Sequence, residues 1–247
     1  MSKSSKLCHK TSYPRSNIFC NLIDKIVKRP SSQFLGQWGY HSYEPRIYRT
    51  LTKILRKSNP DFVELLLKKT KDYVQDRSCN LAMIWRTFTP VYCPSPLSGV
   101  TPLLYVAQTR QSTILKILLQ YGILEREKNP INIVTTILFY PSTVRIMVDH
   151  ELVDIQEDAK SCLLLCSRVL SAIPIREIET QLNLGRRPII SNWLDYIPST
   201  RYKDPCELLH LCRVTIRTQL LTNNMLPNGI FSLLIPVRLQ NYLNLES

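Results

Sequence analysis

The chain has 247 residues, of which 44% are hydrophobic, enough for a sizeable core or an elongated stack of helices. Its formal net charge of +13 at pH 7 makes nucleic-acid binding one of the functions to consider. No charge-free apolar run approaches the roughly 18 residues of a membrane span, so we expect a soluble protein without a membrane partner.

The basic charge clusters in residues 1–30 and again at Lys53–Arg77. We predict residues 1–50 to be a basic N-terminal region with an aromatic helical cap. No recognised nucleic-acid fold or glycine-aromatic signature accompanies these charges, so a solvated face, or one that attracts acidic proteins, is favoured over nucleic-acid binding. The aromatic residues expected to shield the first helix pair are Phe34, Trp38, Tyr40, Tyr43 and Tyr48. Since the start M-S-K-S-S-K lacks an apolar signal core, we expect a cytosolic or nuclear protein whose cysteines are reduced thiols.

Residues 51–200 are predicted to form degenerate helical repeats, clearest at 98–123, where the sequence resembles one ankyrin repeat. Thr101 caps the first helix and Pro102 takes its first position, while Gly122 permits a left-handed C-terminal cap. Leu104 stands where histidine is usual and Arg110 where glycine is usual, which should alter the turn between the helices. The residues that carry the repeat signature are Gly99, Thr101, Pro102, Leu103, Ala107, Leu118, Leu119 and Gly122.

One repeat cannot bury both of its faces, so degenerate neighbours are expected on either side. Asn59–Thr70 resembles the second half of a repeat, and since no T-P-L half precedes it, we hypothesise that sequence is missing near Lys57–Asn59. The stretch with Trp85 and Thr89–Ser98 is predicted to be an inserted loop. Pro141–His150 repeats the second-helix pattern.

The region before the C-terminal segment is predicted to complete the stack and to join it to that segment. Helices are expected at Gln156–Leu170 and Ile175–Leu184, with Gly185 as a stop. Trp193 and Tyr196 are expected to pack across the join.

The first C-terminal pattern places Leu208, Cys212 and Ile216 on one helix face, because the three residues recur at every fourth position. Pro205 sits where this helix can begin. Leucines widen the apolar arc, and His210, Arg213 and Arg217 occupy a narrow strip opposite. A helix this apolar is buried on two sides, and a segment of about 40 residues cannot supply both, so a neighbouring domain or another chain must contribute.

The second pattern, I-F-S-L-L-I-P-V-R-L-Q-N-Y-L, runs from Ile230 to Leu243 and continues at helical spacing after Pro236. The two patterns together resemble the elongin-binding box and the cullin box of a SOCS box, which would span residues 204–245 with three helices. A plain helical core segment is the alternative.

An ankyrin stack followed by a SOCS box resembles the family of ankyrin repeat and SOCS box proteins. The resemblance implies an all-α fold, with a short, irregular ankyrin-repeat stack followed by the SOCS box. It implies that elongin B/C binds Leu208, Leu211, Cys212 and Ile216 and that a cullin, by family habit cullin-5, contacts Leu233, Leu234, Ile235, Pro236 and Leu239. Leu234 replaces a usual proline, so the turn is less pre-set and the choice of cullin stays open.

The family implies a substrate-recognition adapter, which would hold an unidentified target protein while the cullin and its RING-box protein supply ubiquitin transfer. The alternative is an ankyrin scaffold that binds a partner without recruiting a ligase. The sequence has no C-x-x-C pair and only four histidines, and Cys162 and Cys166 flank leucines on a buried helix. We therefore expect no catalytic residue, metal or cofactor in this chain.

Overall fold

A computed structural model describes residues 55, 59–75, 102–127, 129–139, 149–184 and 188–246. Within these ranges the chain is helical, and β-structure is limited to an isolated antiparallel bridge between Phe139 and Pro188. The predicted all-α class is confirmed. Several predicted features lie outside the described residues, namely the region 1–50, Trp85, the loop 89–98, Gly99, Thr101 and Gly185.

The described helices fall into a helical body and a C-terminal module. The body contains α1 (Pro60–Gln75), α2 (Pro102–Thr109), α3 (Ser112–Gln120), α4 (Ile131–Leu138), α5 (Asp149–Val169) and α6 (Ile175–Asn183). Two 3₁₀ helices, Trp193–Tyr196 and Ser199–Arg201, lead to the C-terminal module. That module contains α7 (Leu208–Thr222), α8 (Asn228–Phe231) and α9 (Val237–Leu243), the three helices predicted for it.

The body is built from two layers of stacked helices. Helix α2 packs on α4 in one layer, and α3 packs between α1 and α5 in the other. The pairs α2–α3 and α4–α5 also pack internally, so each pair is one unit of a repeat stack. Helix α1 confirms the helix predicted at Asn59–Thr70 and occupies the place of a second helix in the preceding unit.

Local sequence chemistry sets where these helices begin and end. Pro60 begins α1, and Asn59 Oδ1 accepts a hydrogen bond from the Phe62 N–H at 3.3 Å, as an N-cap side chain does. Pro102 begins α2 as predicted. Gly122, which follows α3, has a φ of 73°, the predicted left-handed conformation.

Helix α5 extends the predicted helix Gln156–Leu170 toward the N-terminus. The repeat pattern predicts the second helix of the unit that begins with α4 at Pro141–His150. Residues 141–148 lie outside the described ranges, and the described helix that packs against α3 is Asp149–Val169. The predicted part of α5 carries an apolar stripe that is fully or almost fully buried: Ala159, Cys162, Leu163, Cys166 and Val169.

Two hydrophobic cores hold the structure together. The main core runs through the body and includes Trp193, while the partly buried Tyr196 packs against it, with the Lys160 ammonium 5.0 Å from the Tyr196 ring centre. Both rings therefore lie in the body, where their 3₁₀ helix packs on α5. The small core of the C-terminal module is formed by Leu220, Leu226, Ile230 and Leu243. None of the helices in the described ranges is both long and apolar enough to span a membrane.

Candidate docking face for protein partners

Helix α7 begins at Leu208 and not at Pro205, where the sequence allows a start. Glu207 precedes the helix with extended backbone, at φ −62° and ψ 137°. Its carboxylate accepts hydrogen bonds from Arg201 Nη1 at 2.7 Å and from Thr200 Oγ1 at 2.9 Å. These bonds hold the chain extended before Leu208.

The two faces of α7 are inverted relative to an ordinary surface helix. The polar strip packs inward, with His210, Arg213 and Arg217 only 1%, 5% and 1% exposed. The first part of the apolar arc points outward, where Leu208 is 76% exposed and Leu211 43%, whereas Leu220 near the end of the helix is buried. Exposed apolar groups that lie together on one helix face are a candidate interaction site.

The residues predicted to bind elongin differ in their exposure. Leu208, Leu211 and Cys212 are exposed on the outer face of α7. Ile216 is half-buried and packs against the small core of the module. A partner on the outer face can therefore contact Leu208, Leu211 and Cys212 directly but can reach only part of Ile216.

The residues predicted to contact a cullin alternate between inward and outward positions. Leu233 and Ile235 pack against the small core, whereas Leu234, Pro236 and Leu239 are exposed. The turn is held by a hydrogen bond of 2.9 Å from the Ile235 N–H to the Leu233 carbonyl oxygen. The turn thus forms although Leu234 replaces the usual proline, and Leu234 projects fully into solvent.

The repeat signature is largely structural. Pro102, Leu103, Ala107, Leu118 and Leu119 are buried between the stacked helices. Their burial explains why the pattern demands apolar or small residues there.

Arg110 takes over the role of the usual glycine in the turn between α2 and α3. Its φ is 53°, so the left-handed turn persists with a side chain present. Its guanidinium is buried and donates to the carbonyl oxygens of Ile137 and Phe139, both at 3.0 Å. This substitution links one helix pair to the next.

The four described cysteines divide into two buried thiols and two that solvent reaches. Burial raises the pKa of the Cys162 thiol to about 12 and that of Cys166 further, so both stay protonated at neutral pH. Cys212 is exposed and Cys206 half-buried. No group of three or more His, Cys, Asp or Glu side chains within the described ranges is arranged to hold a metal ion.

The inward position of His210, Arg213 and Arg217 was not predicted from the sequence. Their spacing predicts a strip opposite the apolar arc but does not say which face of the helix meets the body. The available signal was their spacing, since three basic side chains aligned on a mostly apolar helix would form a very narrow solvent face.

Comparison with known proteins agrees with this architecture. The SOCS box family model matches residues 204–244. A repeat stack followed by a SOCS box defines the ankyrin repeat and SOCS box proteins, and the chain belongs to this family. It is similar to ankyrin repeat and SOCS box protein 17 of Canis lupus familiaris, Mus musculus and Homo sapiens, at 76%, 74% and 71% identity over the whole of each chain.

The alignment with the dog relative spans 295 positions, more than the 247 residues of this chain. The relative therefore has residues with no counterpart here, as the hypothesis of missing sequence requires, although its proposed place near Lys57–Asn59 stays a prediction. No solved structure matches the chain.

Proposed function

We propose that this chain is a substrate-recognition adapter of a ubiquitin ligase, in which the SOCS box binds elongin B/C and a cullin while the helical body binds a target protein. The observation that carries the proposal is the inversion of α7, which buries its polar strip and exposes Leu208, Leu211 and Cys212. Exposing these apolar groups to water is unfavourable, and a partner with an apolar pocket would remove that cost.

Elongin B/C is the partner that the family membership suggests for this face. The side chains of Leu208 and Cys212, one helical turn apart, point to the same side and would enter one pocket together. Leu211 extends the contact along the helix. The exposed edge of Ile216 would close it.

The cullin would meet the second exposed region, formed by Leu234, Pro236 and Leu239. This region follows the turn at Leu233 and is shaped by a hydrogen bond of 3.0 Å from Gln240 Nε2 to the Leu233 carbonyl oxygen. We propose cullin-5, with its RING-box protein, as the partner. Leu234 presents a flexible side chain where the family usually has proline. We therefore expect this residue to make the affinity for the cullin differ from that of SOCS boxes with the proline.

The contribution of this chain to ubiquitin transfer would be proximity. An adapter that holds target and ligase in one complex raises the effective concentration of target lysines near the charged ubiquitin. This role needs no reactive residue in the adapter.

Co-purification with elongin B/C and cullin-5 tests the proposal. Three forms of the full chain would be compared: wild type, Leu208→Ser/Cys212→Ser, and Leu184→Ser. Leu184 is 72% exposed on the body, so its substitution controls for loss of an exposed leucine elsewhere. A fourth form, Leu234→Pro, addresses the cullin contact.

We expect wild type and the Leu184 variant to retain elongin B/C, and the double variant to lose it. Leu234→Pro should leave elongin binding unchanged and strengthen retention of cullin-5. If folded wild type bound no elongin, the adapter proposal would fail, and a scaffold that acts without a ligase would replace it.

A further inference from the structure

The inward strip of α7 completes the C-terminal end of α5. The last carbonyl groups of an α-helix have no partner within the helix. Here Arg213 Nη1 donates to the Arg168 carbonyl oxygen at 3.0 Å, and His210 Nε2 donates to that of Leu170 at 3.1 Å. From the preceding 3₁₀ helix, Arg201 Nε donates to the Ser167 carbonyl oxygen at 2.9 Å.

The positive guanidinium groups are also stabilised electrostatically at this position, because the C-terminal end of a helix carries partial negative charge. Arg213 is fixed from its other side by the Tyr242 ring, whose centre lies 3.4 Å from the guanidinium carbon. Tyr242 belongs to α9, so the last helix of the SOCS box holds the arginine that the first helix places at the end of α5.

A second point of attachment lies further along α7, at Arg217. Its Nη2 and Nε lie 2.6 Å and 2.9 Å from Glu125 Oε1, in the segment after α3. Its Nη1 donates to the Leu243 carbonyl oxygen at 3.0 Å, and its Nη2 also donates to that of Leu119. One buried side chain therefore joins the body to both ends of the SOCS box.

Two further hydrogen bonds and a buried leucine join the body to the SOCS box around Arg217. Gln120 Nε2 donates to the Asn244 carbonyl oxygen at 3.0 Å, and Arg126 Nη2 donates to that of Leu221 at 3.2 Å. Leu245, at the end of the SOCS box, is buried in the main core of the body. Contacts at two places along α7 oppose pivoting, which a single contact would permit.

We propose that His210, Arg213 and Arg217 are positioning residues that hold the SOCS box in one orientation on the helical body, and that this orientation decides which lysines, of a bound target or of the chain itself, receive ubiquitin. The second half rests on the proposed adapter function. The three residues face the body while Leu208, Leu211 and Cys212 face away from it, so an elongin complex can occupy the outer face without breaking these bonds. The helical body would then keep a fixed orientation relative to the ligase bound at the SOCS box.

Distance measurement tests the first half. Spin labels would be placed on exposed Glu179 in α6 and Arg238 in α9 through an unnatural amino acid, because Cys212 is exposed and would react with thiol labels. The double variant His210→Leu/Arg213→Met removes two bonds to α5 but retains apolar volume. The matched control, His210→Gln/Arg213→Lys, keeps a donor at each place.

Wild type and the control should give one narrow distance distribution, both for the full chain alone and in complex with elongin B/C. The double variant should give a distribution about twice as broad, since relative motion is the default for domains without a firm interface. Circular dichroism establishes that each form is folded, and Arg213→Met alone replaces the double variant if the latter unfolds. A folded variant as narrow as wild type would overturn the positioning role.

Ubiquitin placement tests the second half in a reconstituted reaction with elongin B/C, cullin-5 and its RING-box protein. The acceptors would be lysines of this chain, Lys68 and Lys116 in the body and Lys203 before the SOCS box, mapped by mass spectrometry. We expect the double variant to bind elongin as wild type does but to spread modification over more lysines, with the pattern restored in the control. An unchanged pattern despite broadened distances would overturn the link to lysine choice, whereas failure of elongin to bind would reject the adapter function and leave the distance result standing.

Discussion

Arg217 and Glu125, far apart in sequence, form an ion pair of 2.6 Å in which the arginine is 1% exposed and the glutamate 13%. A charge pair this buried stabilises little compared with an apolar pair, but removing one member leaves the other charge buried without its partner. The pair therefore makes the joint between the helical body and the SOCS box sensitive to single substitutions.

Substitution of Arg217 should be the most damaging change at this joint. We expect Arg217→Met to lower the free energy of unfolding by about 3–5 kcal/mol, because the Glu125 carboxylate is left unpaired and the carbonyl oxygens of Leu119 and Leu243 each lose a hydrogen bond. Urea unfolding of the full chain measures this. Arg217→Met/Glu125→Gln should recover part of the loss; a double variant less stable than the single one would contradict the proposed ion-pair energetics.

Gly122 should resist replacement for two reasons. Its φ of 73° is costly for residues with a Cβ, by about 1–2 kcal/mol, and an added Cβ would overlap Leu221 Cδ1 of the SOCS box. Gly122→Ala is therefore expected to lower the melting temperature. In a Leu221→Ala background the same change should cost less, because the overlap with Leu221 is gone and only the backbone strain and a tight approach to Leu226 Cδ1, at 3.0 Å, remain. An equal cost in both backgrounds would show that the contact with Leu221 is unimportant.

Arg110 combines backbone strain with useful hydrogen bonds, and two substitutions separate the contributions. Arg110→Ala keeps the strained φ and loses the bonds to Ile137 and Phe139. Arg110→Gly loses the same bonds but relieves the strain, so it should be more stable than the alanine variant by about 1 kcal/mol. Thermal unfolding measures the difference, and an alanine variant at least as stable as the glycine variant would contradict this reading.

His210 should make stability depend on pH in the neutral range. Desolvation by burial, with the charges of Arg201 and Arg213, lowers its pKa from 6.5, outweighing the hydrogen bond to Leu170 and the charge of Glu207. The folded state therefore binds fewer protons than the unfolded state, and stability falls as pH drops below about 6.5. His210→Gln, which cannot be protonated, should reduce the loss of melting temperature between pH 7.5 and 5.5; an identical loss would argue against His210 as its source.

Much of this fold follows from sequence because the signals are local. Pro102 and Gly122 mark the start and end of a helix pair, and the stripe of Leu118 and Leu119 marks a buried face. The two C-terminal patterns likewise predict helical segments around Leu208–Ile216 and after Pro236, and their resemblance to a SOCS box implies the three helices of that module. The helical segments need only the spacing of residues within one segment.

The inversion of α7 could not be read in the same way. Whether its apolar arc or its basic strip faces the body depends on what the body offers, and the decisive partners are the free carbonyl groups at the end of α5 and the Glu125 carboxylate. These are tertiary relationships between distant segments.

The affinity of the full chain for purified elongin B/C, measured by isothermal titration calorimetry, tests directly whether the exposed face of α7 is a docking site. We expect Leu208→Ser/Cys212→Ser to weaken binding by at least about 100-fold, or about 2.7 kcal/mol, because two polar groups would enter an apolar contact. Leu184→Ser should bind as wild type does. Equal affinities for wild type and the double variant, with both folded, would contradict the claim that the exposed face of α7 is the docking site.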